Sequence, residues 1–132
     1  MHVLIPLGDG IPFESAKMLV ELLGRIVTAR HPTIATMERK LDKRGDRMYI
    51  DTGQTGTSRT IVAPYSVRAH AGATVSTPLA WEELHAGLDP SRFTIVTVPT
   101  RALEIDDPWL GFAEAKPNVA AALSKLERWI KN

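Results

Sequence analysis

The 132-residue chain has no cysteine, and that single absence removes disulfides, thiolate metal sites and thiol nucleophiles together. It suits a reducing compartment, so the cytoplasm is the default location. No apolar run approaches the ~20 residues that a membrane span needs, and no basic segment followed by an apolar stretch opens the chain, so no membrane partner is expected. An excess of charge of one sign is lacking too. With 16 basic against 15 acidic residues the net charge is +1, too little for an overall field that would hold a polyanion. Any nucleic-acid contact must therefore be local. There is no internal repeat, no low-complexity segment and no Gly-rich phosphate loop. The 4 histidines have no spacing that reads as a zinc site.

What is present has the size and mix of one soluble globular domain over residues 1–132, with 44% hydrophobic and 23% charged residues. His2 to Leu7 reads as a short apolar strand broken by Gly8-Asp9-Gly10. From Pro12 to Arg30, Ala16, Leu19, Val20, Leu23, Ile26 and Val27 keep helical spacing, and His31-Pro32 ends the helix. Met48 to Ile50 and Thr60 to Ala63 read as two strands around a polar, Gly-rich connection. Ser76-Thr77-Pro78 offers a capping hydroxyl and a proline ahead of a helix at Trp81-Glu82-Glu83-Leu84. Thr94 to Val98 is a β-branched run and predicts a strand. Pro117-Asn118 opens a last helix with Val119, Ala122, Leu123, Leu126 and Ile130 on one face. Strands and helices interleave without regular βαβ crossovers, so the expected class is α+β, a mixed or antiparallel sheet with flanking helices.

The segment from Arg39 to Arg47 sets 5 basic residues among acids just before the strand that ends in Asp51. Such a run can be no more than a solvated loop. Asp51, however, closes the apolar stretch Met48-Tyr49-Ile50, and a carboxylate at a strand end can be held rigidly while solvent reaches it, as a metal ligand must be. The alternative is an aspartate that caps a turn. Gln54, Arg59 and Arg68 follow closely, and the forked donors of arginine suit phosphate.

Lys43-Arg44-Gly45-Asp46-Arg47-Met48-Tyr49-Ile50-Asp51, followed by Ala63-Pro64-Tyr65-Ser66-Val67-Arg68-Ala69, strongly resembles the polymerase domain of bacterial ATP-dependent DNA ligase D. His2 to Leu7 is similar to the strand after that family's Ser-to-His motif, Val75 to Leu84 resembles its next signature, and Leu88 to Ile95 is similar too, so the likeness runs from His2 to about Trp109. The resemblance implies the C-terminal half of an archaeo-eukaryotic primase-type palm, extending DNA ends from nucleoside triphosphates with two divalent metals, Mn or Mg. It implies that Asp51 is the third metal carboxylate, that Arg44 and Arg68 grip the triphosphate, that His2 lies near its phosphates and that Gln54 borders the nucleotide pocket. Two cations would bridge the attacking and leaving oxygens while arginines neutralise the departing pyrophosphate.

The chain departs from that family in two places. The paired aspartates lie upstream of the His motif and are not in this sequence, so the metal is expected only when a longer chain or a partner supplies them. Asp9, Asp106 and Asp107 read as turn or cap residues rather than replacements. After Asp51, Thr52-Gly53-Gln54 stands where better-known members have tyrosine and leucine before Gln. The expected partners are nucleoside triphosphate, DNA ends, and a ligase domain or the upstream half of the polymerase domain, with a homodimer possible through an exposed sheet edge. Three readings compete: a half-site active only when complemented, a noncatalytic module that binds triphosphate and DNA ends, and a fragment unable to fold alone. Elsewhere, His31 reads as a helix C-cap, His70 and His85 carry no site, two of Trp81, Trp109 and Trp129 read as core, and Ser66 has no His-Asp arrangement for hydrolysis.

Overall fold

Helical spacing of the apolar residues after Pro12 produces α1, Phe13–Arg30, which buries Leu19, Gly24 and Ile26. The computed structural model describes residues 1–115 and 117–131, and these fall into two compact units, Met1–Thr60 with the chain from Glu114 onward, and Ile61–Ala113.

In the first unit, α1 stops where the His31 N–H donates to the Val27 carbonyl at 2.9 Å and Pro32 cannot continue the helix, so His31 is the C-cap. β1, Ala35–Thr36, follows and pairs with β2, Met48–Tyr49, in parallel, with Ala35 opposite Met48 and Thr36 opposite Tyr49. The Met48 N–H donates to the Ile34 carbonyl and the Ile50 N–H to the Thr36 carbonyl, each at 2.8 Å. Ala35 and Thr36 are buried. Gly24, inside α1, would be replaced by alanine at a gain of ~1 kcal/mol in a free helix. Here a Cβ would stand 3.0 Å from Thr52 Cγ2 and 3.1 Å from Met37 Sδ. The glycine therefore lets the segment that carries Asp51 and Thr52 run close against α1.

α2, Thr97–Glu104, lies in the second unit; α3, Val119–Lys131, belongs to the first. Asn118 Oδ1 accepts the Ala121 N–H at 2.9 Å, a side-chain N-cap. Leu126 packs with Leu19 and Ile26, flanked by Leu7, Leu22 and Leu23. Arg30 lies 4.8 Å from the centroid of the Trp129 ring. The side chain of Ile130, expected on the same apolar face, lies outside the described residues. Because Leu126 is 7% exposed, Leu126→Ala is expected to cost about 2–3 kcal/mol of unfolding free energy. Met18→Ala, at an exposed site of α1, should change it by under about 0.5 kcal/mol. Urea titrations followed by circular dichroism check both.

The second unit is mostly irregular, with antiparallel pairing in isolated bridges, Val67 with Val75 and Thr74 with Thr94. Tyr65 sits at φ 61°, in the left-handed region where side chains are uncommon. Its N–H donates to the Ser76 carbonyl at 2.7 Å, and its phenol donates to Asp107 Oδ1 at 2.6 Å. Burial first, and then that bond to the carboxylate, push the phenol up to about 12. Asp107 also accepts the Trp109 N–H at 3.0 Å, a cap role, and these bonds, the phenol's first, hold its carboxyl below the ordinary range.

Arg101 forms a two-pronged pair with Glu83, Nη1 to Oε1 at 2.7 Å and Nη2 to Oε2 at 2.8 Å. The same carboxylate accepts the Ala80 N–H at 2.8 Å, fixing the 3₁₀ turn Trp81–Glu83. The Arg101 hydrogen bond, ahead of the backbone bond, lowers the Glu83 carboxyl below its ordinary 4.5. A depressed folded-state value favours the ionised form, so its contribution is present above 4.5 and disappears as pH falls through the folded value. Glu83→Gln is expected to cost ~1 kcal/mol at pH 7, reduced by the partial solvent exposure of the pair. The variant and parent should converge in thermal midpoint as the pH falls below 4.5.

The class is α+β, as expected, but the regular sheet among the described residues has two strands, and they are parallel. Residues 2–7 and 60–63 are not strands, since no described segment pairs with their backbone groups. Thr94 to Val98 leads into α2 instead of a strand. Thr94 Oγ1 accepts the N–H groups of Val96 and Thr97, and Pro99 fits a first helical turn, so local capping overrides β propensity. The helix expected near residues 81–84 is a single 3₁₀ turn that starts after Ala80, without a hydroxyl cap. Trp81 is 71% exposed and Trp129 54% exposed, so neither is core, while Trp109 packs against Phe112 with the rings tilted by 45° and their centroids 4.3 Å apart.

Candidate functional site

The basic run is a stitched loop. Arg44 donates through Nε to the Glu38 carbonyl at 2.9 Å and through Nη2 to the Arg39 carbonyl at 2.8 Å. Arg47 donates through Nε to the Arg44 carbonyl at 2.8 Å and through Nη2 to the Lys43 carbonyl at 2.9 Å. These bonds fold the chain around the 3₁₀ turn Leu41–Lys43. The Arg44 guanidinium also lies 4.0 Å from the centroid of the Tyr49 ring, a cation–π contact. Arg44 is thus half-buried and fixed in direction, with Nη1 and one Nη2 hydrogen left to donate.

β2 brings the carboxylate alongside. Asp51 follows the end of β2 by two residues, and it lines the same concavity as Tyr49. The chain then turns. Asp51 Oδ1 accepts the Gly53 N–H at 2.9 Å, and a Cβ on Gly53 would stand 3.1 Å from that same oxygen. A side chain at residue 53 would crowd that oxygen. Asp51 therefore caps a turn, yet Oδ2 has no hydrogen bond among the described residues and the residue is exposed.

Arg39, Arg44, Tyr49, Asp51, Gly53, Gln54 and Arg59 line one open concavity of about 300 Å³. Three guanidiniums face one carboxylate, giving a local formal charge of +2 in a chain whose net charge is only +1. Such a site attracts a polyanion, and Arg44 presents pre-oriented, charge-assisted donors to it. Among the described residues no group of three or more His, Asp or Glu is arranged to hold a metal ion. Asp51 can contribute one oxygen to a metal, not a full ligand set.

Of the residues picked out by sequence, Arg44, Asp51, Gln54 and Arg59 share this concavity. His2 belongs to the same unit but is exposed in the irregular opening segment and is not part of the lining. Arg68 belongs to the second unit, where its N–H donates to the Thr74 carbonyl at 2.7 Å and its side chain is half-buried. Arg39 and Tyr49 were not singled out by sequence. Tyr49 was detectable, because it stands two residues before Asp51 on a strand; Arg39 becomes visible only once the loop closes.

Comparison with known proteins bears on this constellation. Residues 1–109 match the family model for the LigD primase-polymerase domain. The chain is similar to the bifunctional non-homologous end joining protein LigD of Bacillus subtilis, 32% identical over 85% of this chain and 18% of that protein. The multifunctional non-homologous end joining protein LigD of Pseudomonas aeruginosa is 28% identical over 95% of this chain and 15% of its own length. The counterpart in Mycolicibacterium smegmatis is 26% identical over 64% of this chain. The chain thus spans less than a fifth of the relatives it matches. The matched span contains both sequence blocks and every residue lining the concavity, and on that basis the chain belongs to the LigD primase-polymerase domain family.

Proposed function

We propose that this chain is the nucleotide-gripping half of a primase-type palm that adds nucleotides to DNA ends in non-homologous end joining, in the cytoplasm and together with an ATP-dependent ligase domain. The observation that carries the reading is the shared concavity of Arg44, Asp51 and Gln54, positively charged and open to solvent. Arg44 holds the triphosphate and Gln54 borders the nucleotide. Arg68 adds a second guanidinium and His2 approaches the phosphates, as the family resemblance suggests. Asp51 is the catalytic carboxylate and one metal ligand. Divalent ions, Mn or Mg, when held, would stabilise charge on the phosphoryl oxygens. Since Asp51 offers one carboxylate, the paired aspartates come from a longer chain or a partner, and the chain alone is inactive. Nothing in the proposal requires a second copy at the open sheet edge.

Primer extension on a duplex DNA end tests it. With Mn present, the chain joined to, or mixed with, an upstream half carrying the two aspartates should add templated nucleotides, and the chain alone should not. No addition by the combined, folded halves would overturn the proposal.

One observation favours a second reading, a noncatalytic triphosphate-binding module: the Gly53 N–H already occupies one Asp51 oxygen, and guanidiniums outnumber carboxylates. Under that reading triphosphate affinity is unchanged by chelator and no combination of halves restores addition.

A further inference from the structure

We infer that Arg39 and Arg59 bind the polyphosphate directly, so that the concavity grips a triphosphate with three guanidiniums of its own before any metal is involved. This deepens the reading above and rests on it for the identity of the ligand.

The arginines differ in how their donors are used. Arg47 spends its donors on the Lys43 and Arg44 carbonyls, and Arg44 spends part of its own on Glu38 and Arg39. The side chains of Arg39 and Arg59 make no hydrogen bond or ion pair among the described residues, yet both line the same concavity as Arg44. Among the described residues the nearby acid Glu38 forms no ion pair with either of them, and its Oε1 accepts the Lys40 N–H at 3.0 Å. Three permanently charged groups, two from the Arg39 to Arg47 loop and one from the turn after Gln54, repel one another unless an anion lies between them.

The main chain at Arg39 and Arg59 is also held in place. The Arg39 carbonyl accepts from Arg44 Nη2 at 2.8 Å, tying the Arg39 main chain to the guanidinium that is most firmly fixed. The Arg59 N–H donates to the Gly56 carbonyl at 3.2 Å, closing the turn that follows Gln54. Between these anchors, and beside the Tyr49 ring, the concavity of about 300 Å³ suits an extended chain of phosphates better than a lone one. A triphosphate presents successive anionic groups along its length and so can meet several guanidiniums at once, where a monophosphate offers a single charged group. Tighter binding of tri- than of monophosphate is the expected consequence.

Isothermal titration of the full chain with ATP, AMP and inorganic tripolyphosphate, in chelator and at low salt, tests the assignment. Wild type should bind ATP and tripolyphosphate and hold AMP far more weakly. Arg39→Ala and Arg59→Ala should each weaken both polyphosphates by about tenfold, and the double variant should lose most preference for ATP over AMP. Arg25→Ala, at an exposed position on α1 outside the concavity, should bind as wild type. If Arg39→Ala and Arg59→Ala bind normally while Arg44→Ala does not, the inference falls and the triphosphate reading stands. If wild type binds neither polyphosphate, both fall.

Discussion

Asp51→Asn, placed in the complemented polymerase, is expected to lower nucleotide addition by on the order of 10³-fold while leaving chelator-treated triphosphate binding unchanged or slightly tighter. Asparagine is the informative choice because of the turn. Its side-chain oxygen can still accept the Gly53 N–H that Asp51 Oδ1 accepts, so the local backbone is preserved while the negative charge is removed. A carboxylate beside three guanidiniums repels an incoming polyanion, and removing it cannot weaken electrostatic capture. Addition nevertheless collapses if that carboxylate holds a cation at the reacting phosphate, since an amide is a far weaker ligand for a hard divalent ion. Rates from single-turnover primer extension, set beside titration data, separate the two effects. Retained addition by Asp51→Asn would remove Asp51 from the chemistry and leave it as the turn cap seen in the structure.

The parts of this fold that depend on local periodicity were legible in the sequence, and the parts that depend on a partner were not. The spacing of Leu19, Leu23 and Ile26 announces α1, and His31-Pro32 announces its end. The Leu126 face of α3 is equally plain. By contrast Val3, Leu4 and Ile5 have strand-like composition but remain exposed, because a strand exists only when another backbone accepts its hydrogen bonds. Thr94 to Val98 misleads for a different reason, as its first hydroxyl turns inward on its own backbone and starts α2. At the site, Asp51 and Arg44 could be named from the family blocks they lie in. The loop's charge run could not be divided by sequence into fasteners and ligand groups. Only closed geometry shows that Arg47 is spent on carbonyls while Arg39 and Arg59 face the concavity.

Arg44→Ala carries the other large expected effect, a loss of triphosphate affinity of at least about tenfold and up to about a hundredfold. The residue acts in two ways, and the variants must separate them. Its Nε and Nη2 fasten the loop through the Glu38 and Arg39 carbonyls, while Nη1 remains for the ligand. Removing the side chain therefore loosens the loop as well as deleting a phosphate donor. Arg47→Ala loosens the same loop through its bonds to the Lys43 and Arg44 carbonyls without taking a guanidinium from the concavity. Its effect on binding should stay within about threefold. Arg44→Lys restores the charge but not the fork or the guanidinium contact with the Tyr49 ring, 4.0 Å away, so it should recover only part of the loss. The ordering wild type, Arg47→Ala, Arg44→Lys, Arg44→Ala in titration with ATP marks Arg44 as a phosphate-binding residue. Equal losses for Arg47→Ala and Arg44→Ala would instead make the loop's shape, rather than the Arg44 guanidinium, the source of affinity.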